Sequence, residues 1–161
     1  MNSTRFQTFE DLEVYKAARE FRKAMYNAAR LLPKSEEFDL GRQIRRAAVS
    51  LTNNIAEGHG RFHYLDQIKF MLQARGSLQE LIDDLNVCTD ERYLVESKIG
   101  ELKEKAWTVL RLLNSFLRFL RSQQTEKMAI LHDHSASYGR DAADVEEWLA
   151  TLPLQDAHVT M

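Results

Sequence analysis

Cross-links and helix breakers are both scarce in this chain. The one cysteine in its 161 residues, Cys88, rules out an internal disulfide. That fits a reducing compartment, and the thiol reads as a small core side chain. Two prolines, Pro33 and Pro153, and six glycines leave few places where a helix must stop. No run of about 18 apolar residues exists, and Arg111, Arg118 and Arg121 interrupt the most apolar region, which argues against a membrane-spanning helix. The first residues lack the basic-then-apolar order of a secretory leader, so a cytoplasmic location is expected. An excess of one charge is also missing: 22 Lys+Arg stand against 24 Asp+Glu, for a net charge of −2. With 44% apolar and 29% charged residues, the composition is that of an ordinary globular protein, which excludes disorder throughout.

The near-neutral total conceals a division. Residues 1–122 carry 20 Lys+Arg against 17 Asp+Glu, a surplus of +3, whereas residues 123–161 carry 2 against 7, or −5. The acidic character therefore belongs to the tail, and the first part is slightly basic, which permits a polyanionic partner.

What the first part has in abundance is helical periodicity. From Phe9 to Leu32, the residues Val14, Ala18, Phe21, Met25, Ala28 and Leu32 recur at spacings of four and three, and Pro33 ends the pattern. A second segment is expected after Ser35 as N-cap, with Leu40, Ile44, Ala47, Leu51, Asn54 and Ile55 as its seam and Gly58 with Gly60 as its stop. A third, Phe62 to Thr89, bears two stripes. One is Met71, Ala74, Leu78, Leu81, Leu85 and Cys88; the other is Leu65, Ile68, Leu72, Arg75 and Ile82. The fourth, Val95 to Ser122, holds Ile99, Leu102, Ala106, Val109, Leu113, Phe116 and Leu120 in strict three-four spacing. Trp107, Leu110, Leu117 and Phe119 lie off that seam and are candidate oligomer contacts.

Short connections make sequential helices antiparallel, so the expected fold is all-α: an up-down-up-down four-helix bundle over residues 1–122. Residues 123–161 form an acidic C-terminal extension in which 123–140 read as irregular and Asp141 to Leu152 as a short amphipathic helix.

Signatures of chemistry are few. Neither the Glu-x-x-His pairs of a di-metal bundle nor a phosphate loop, dinucleotide fingerprint or HExxH motif occurs. His59 and His63 straddle Gly60 and read as loop histidines rather than a metal pair. No cofactor, metal site or catalytic residue is assigned. Two polar groups stand out instead. Asn54, Glu57, Arg75 and Glu80 fall among apolar residues, and a buried Arg75 would require Glu57 or Glu80 as its partner, giving a packing cluster. Arg42, Arg45 and Arg46, with Arg61 and Lys69 further on, form a candidate phosphate-binding patch, although no aromatic platform interleaves these five.

Several runs carry a resemblance. Gln43-Ile44-Arg45-Arg46-Ala47 leads into Asn54-Ile55-Ala56-Glu57-Gly58, and Gly76-Ser77-Leu78-Gln79-Glu80-Leu81 follows. Phe9-Glu10-Asp11-Leu12-Glu13-Val14-Tyr15 and Leu32-Pro33-Lys34-Ser35-Glu36 precede them. Over residues 6–122 the chain resembles the four-helix bundle proteins encoded in intervening sequences of bacterial large-subunit ribosomal RNA genes. The resemblance implies a homopentamer without known catalytic activity. It also implies a fold like that of the accessory variability determinant, the protein that assists reverse transcriptase in diversity-generating retroelements. A nucleic-acid-associated accessory role (with RNA, DNA or a nucleic-acid enzyme as partner) is the expectation that follows, and a protein-protein assembly module is the alternative. The acidic extension is not part of the family pattern.

Overall fold

The computed structural model describes residues 8–138, and every element in that range is helical. A 3-10 turn, Phe9–Asp11, opens the chain under a capping box: the Thr8 hydroxyl accepts from Glu10 N at 3.2 Å and the Asp11 carboxylate accepts from Thr8 N at 2.9 Å. Four α-helices follow: α1 (Glu13–Arg30), α2 (Leu40–His59), α3 (Tyr64–Asp90) and α4 (Glu96–Tyr138). At 1.5 Å per residue these are about 27, 30, 40 and 64 Å long.

The periodic positions form the core as expected. Val14, Ala18, Phe21, Met25 and Ala28 of α1, Ile44, Ala47, Leu51 and Ile55 of α2, and Met71, Ala74, Leu78, Leu81, Leu85 and Cys88 of α3 are all buried. Each fully buried Leu, Ile, Met or Phe contributes about 1.5–3 kcal/mol through removal from water, so this seam rather than helix propensity holds the bundle.

The register of α2 on α3 is fixed by three contacts along an antiparallel line. Gln43 Nε2 donates to Asp84 Oδ1 at 2.8 Å, and the Ser77 hydroxyl donates to Ser50 Oγ at 2.9 Å. Farther on, Gly58 faces Phe70 and Met71 so closely that an added Cβ would lie 2.9 Å from Phe70 Cβ and 2.6 Å from Met71 Cε. Helix α1 packs on the other flank of α2: the Arg22 guanidinium donates to Thr52 Oγ1 at 2.8 Å, and Gly41 lies close to the Ala29 carbonyl. At one end, Tyr93 Oη donates to Glu36 Oε1 at 3.0 Å, tying the α3–α4 connection to the α1–α2 connection.

Four details differ from the sequence reading. Ser35 is not an N-cap: Lys34–Glu36 is a 3-10 turn, and α2 begins only at Leu40 after Asp39. Gly58 is not a stop but a buried residue inside α2, needed for close approach to α3; Gly60 caps the helix, with its N–H bonded to Ala56 and Glu57 carbonyls. Along α4 the seam changes phase after Leu113: Leu117 is 3% exposed and in the core, while Phe116 is only half-buried. Finally, α4 does not end at Ser122, where the compact bundle unit ends, but continues unbroken to Tyr138. The apolar seam stops after residue 122, but the helix does not. Gln, Glu, Lys, Met, Ala and Leu over this stretch are good helix formers, and no Gly or Pro intervenes before Gly139. The expected helix over Asp141 to Leu152 lies outside the described residues.

The α3–α4 connection uses a Schellman turn without glycine. Arg92 adopts φ 56°, its N–H bonds the Thr89 carbonyl at 3.1 Å, and Tyr93 N bonds the Cys88 carbonyl at 2.9 Å. No helix among the described residues is long and apolar enough to cross a membrane.

Candidate nucleic-acid interface

The five cations singled out in the sequence do not form one patch. Arg42, Arg45 and Arg46 occupy the first turns of α2. Arg61 follows the far end of α2, and Lys69 on α3 is close to the level of Gly58. Twelve residues of helix separate Arg46 from Gly58, about 18 Å. Arg61 is also engaged locally: it pairs with Glu57 and lies 4.6 Å over the Phe70 ring. Arg45 folds back so that Nη2 donates to the Glu37 carbonyl at 2.7 Å. Arg42 and Arg46 are exposed and make no hydrogen bond or ion pair with the described residues.

The structure brings a different set to Arg42 and Arg46. On α1 the positions Lys16, Arg19, Arg22, Lys23, Tyr26 and Arg30 are spaced by three and four and project from the side away from the core seam. Arg22, reaching Thr52, shows that this side adjoins α2. Because Ala29 meets Gly41 and Arg22 meets Thr52 across the antiparallel pair, Tyr26 and Arg30 stand level with Arg42, Arg45 and Arg46. An open hollow on α1 is lined by Glu20, Arg22, Lys23, Tyr26, Asn27 and Arg30. One carboxylate, Glu20, shares this hollow with the cations and accepts from Lys23. Glu20 is also influenced by Lys105 of α4, and its pKa is lowered chiefly by the hydrogen bond from Lys23. Lys16–Glu13 at 2.6 Å and Lys23–Glu20 at 2.9 Å are exposed ion pairs, cheap to exchange for another anion. Arg19 makes no hydrogen bond or close ion pair among the described residues, although its charge adds to the field that lowers the Glu20 pKa, and Arg30 donates to the neutral Asn27 Oδ1 at 3.3 Å. The sequence signal for this face was present in the three-four spacing, but the alignment of α1 with α2 is a tertiary fact.

The polar packing cluster is a correction. Glu57, Arg75 and Glu80 are exposed, and Arg75 pairs with neither carboxylate. Asn54 is half-buried and donates to the Ser50 carbonyl at 2.9 Å and to Ser50 Oγ at 3.2 Å. Arg75 belongs to the solvent side of α3 because the core stripe there is Met71, Ala74, Leu78 and Leu81, which turns position 75 outward. The buried polar residues are others: Thr52, Ser77 and Asp84. Asp84 is 2% exposed, and its Oδ2 is the one buried side-chain oxygen or nitrogen without a partner among the described residues. Burial, with Glu80 and Asp83 nearby, pushes its carboxyl up to about 6, against the opposing hydrogen bond from Gln43. Burial likewise pushes the Cys88 thiol up to about 11, which removes it as a nucleophile near neutral pH.

Of the oligomer-contact candidates, Trp107 is 43% exposed, Leu110 and Phe119 are half-buried against the core, and Leu117 is withdrawn because it is core. Helix α3 adds residues to this class: Leu65 and Leu72, 63% and 42% exposed, point away from the core on either side of Lys69, and Gly76 continues their stripe with nothing within 4 Å of an added Cβ. No backbone among the described residues comes close to Gly76.

No curated protein matches the chain. Among solved structures, a protein of unknown function from the S23 ribosomal protein family of Bacteroides thetaiotaomicron has the same fold, with a TM-score of 0.61 at 21% identity over 65% of this chain and 95% of that one. The model of the 23S rRNA-intervening sequence proteins matches residues 10–115, which include α1, α2, α3 and the first turns of α4. On that match across most of the bundle, the chain belongs to the 23S rRNA-intervening sequence protein family.

Proposed function

We propose that this protein is a non-enzymatic, oligomeric bundle that associates with nucleic acid as an accessory factor. The observation that carries this reading is the outward face of α2, where Arg42 and Arg46 present full charges with no carboxylate in contact. Unpaired arginines on a rigid helix lose little by exchanging water for phosphate oxygens, and release of counterions from the polyanion drives the association. The surplus of +3 per bundle is small, so oligomerisation, which repeats the face, is part of the reading. Fluorescence anisotropy with structured RNA and DNA tests it: binding that weakens steeply with added salt is expected, and no binding at about 50 mM salt overturns it.

A second reading, a protein-protein assembly module, is favoured by Leu65, Leu72 and the open Gly76 on α3 together with Trp107 on α4. Solvent-facing leucines beside a glycine that no neighbour requires suit a surface that another helix covers. Sedimentation velocity decides: a discrete oligomer without nucleic-acid binding selects this reading alone, and a monomer at micromolar concentration removes it and the oligomeric part of the first.

A further inference from the structure

The outer surface shared by α1 and α2 has the layout of two parallel cationic rails. Arg19, Lys23 and Arg30 follow one another along α1 over eleven residues, about 16 Å. On α2, Arg42 and Arg46 stand beside the Arg30 end of that row, while Arg19 lies level with the Thr52 region. Packed helix axes lie about 8–10 Å apart, so the rails are separated by a distance that long Arg and Lys side chains can bridge or widen. At about 3.4 Å per nucleotide along one strand, the α1 rail spans roughly five steps of a backbone.

Two features select the form of the ligand. Two rings fall in line with these cations, Tyr15 and Tyr26, and both are half-buried against the core. Proteins that hold single strands offer a series of aromatic faces on which successive bases stack, and two partly covered rings eleven residues apart do not supply that series. The face is also too broad to enter a groove. Two adjacent helices, each about 10 Å across with side chains, exceed a major groove about 12 Å wide. Contacts are then confined to the phosphates, and the bases stay stacked on one another.

Resting on the nucleic-acid reading above, we infer that the α1–α2 face, through Arg19, Lys23, Arg30, Arg42 and Arg46, is a sequence-independent binding surface for the phosphate backbone of a double-stranded nucleic acid. Lys23 releases the exposed Glu20 carboxylate to do so, and Arg30 releases the Asn27 amide. Arg22 stays on Thr52 and fixes the angle between the rails. Arg61 and Lys69, at the other end of α2, take no part.

The test uses the full chain and three labelled probes of about 20 nucleotides: an RNA duplex, a DNA duplex of the same sequence, and an unstructured single strand. The α1 variant Arg19→Gln/Lys23→Gln/Arg30→Gln and the α2 variant Arg42→Gln/Arg46→Gln are compared with Arg61→Gln/Lys69→Gln. Circular dichroism confirms the helical content of each. At least one duplex is expected to bind more than tenfold tighter than the single strand, and the duplex that binds identifies the source. The α1 and α2 variants should each lose more than tenfold, and the slope of log K against log salt should fall by about one per contacting cation removed. The Arg61/Lys69 variant should bind as the wild type does. If the wild type binds a duplex and the α1 and α2 variants bind it equally well, the surface is wrong while the nucleic-acid reading stands. A single strand bound as tightly as a duplex overturns the duplex assignment. Polyglutamate competing as well as a duplex at equal charge overturns the phosphate ligand. A wild type that binds none of the probes at low salt overturns the nucleic-acid reading itself.

Discussion

The α2–α3 seam and the α1–α2 outer face share one helix and treat polar groups in opposite ways. In the seam, Gln43 meets Asp84 and Ser77 meets Ser50, and the residue that must be smallest, Gly58, lies where α3 comes nearest. On the outer face, Arg42 and Arg46 meet no partner among the described residues, and the ion pairs of Lys16 and Lys23 are exposed. A buried polar group without a partner costs about 1–3 kcal/mol, whereas an exposed one is satisfied by water. Packing therefore dictates the seam, and the outer face is free to be set by whatever it binds.

The seam has one imperfect member, and removing it should have the largest effect. Between about pH 4 and pH 6 the folded state keeps a proton on Asp84 that the unfolded chain has released, since burial raises this carboxyl from 3.8 to about 6. Stability should therefore fall as pH rises through that window and stay lowered above it. Asp84→Asn keeps an acceptor for Gln43 and removes the charge. It should stabilise the protein by about 2–3 kcal/mol at pH 7 and by little at pH 4, as read by urea denaturation at the two values. Equal effects at both would show that Asp84 is ionised without penalty.

Gly58→Ala tests the closeness of the same seam. Met71 Cε can move aside, but Phe70 Cβ is next to the backbone, so a loss of about 1–3 kcal/mol is expected in thermal or chemical unfolding. The opposite sign is expected at Gly76, where an added methyl meets open space: Gly76→Ala should gain about 0.5–1 kcal/mol as measured on the dilute chain. If that substitution weakens a sedimenting oligomer instead, the α3 stripe is an assembly surface. Smallest of all should be Arg42→Gln/Arg46→Gln, which should change stability by less than about 0.5 kcal/mol and mark those arginines as unnecessary to the fold.

The seams on α1 to α3 were legible in the sequence because periodic apolar spacing reports burial directly, and Val14, Phe21, Leu51 and Leu78 are buried where the spacing places them. Phe116 and Leu117 were exchanged because both are large and apolar, and a four-residue step from Leu113 is as helical as a three-residue one. Only the neighbouring helix decides between them. Ser77 and Asp84 were invisible as buried residues because polar side chains enter a core only opposite particular partners, and pairing with Ser50 or Gln43 depends on register. The cations of α1 were each in plain view. Their assembly with Arg42 and Arg46 required knowing that Ala29 lies against Gly41.

The contacts at Gln43–Asp84, Ser50–Ser77 and Gly58–Phe70 recur at intervals close to seven residues, which gives them a meaning for folding as well as for stability. An antiparallel helix pair with a heptad seam can slide by seven residues and still match Leu, Ile and Ala against one another. Here such a slide parts Gln43 from Asp84 and moves Gly58 away from Phe70 in the same step. A misaligned pairing of α2 and α3 would therefore lose all three contacts at once. These three rungs work as a proofreading scale, marking one alignment as correct among several that the apolar seam alone would accept.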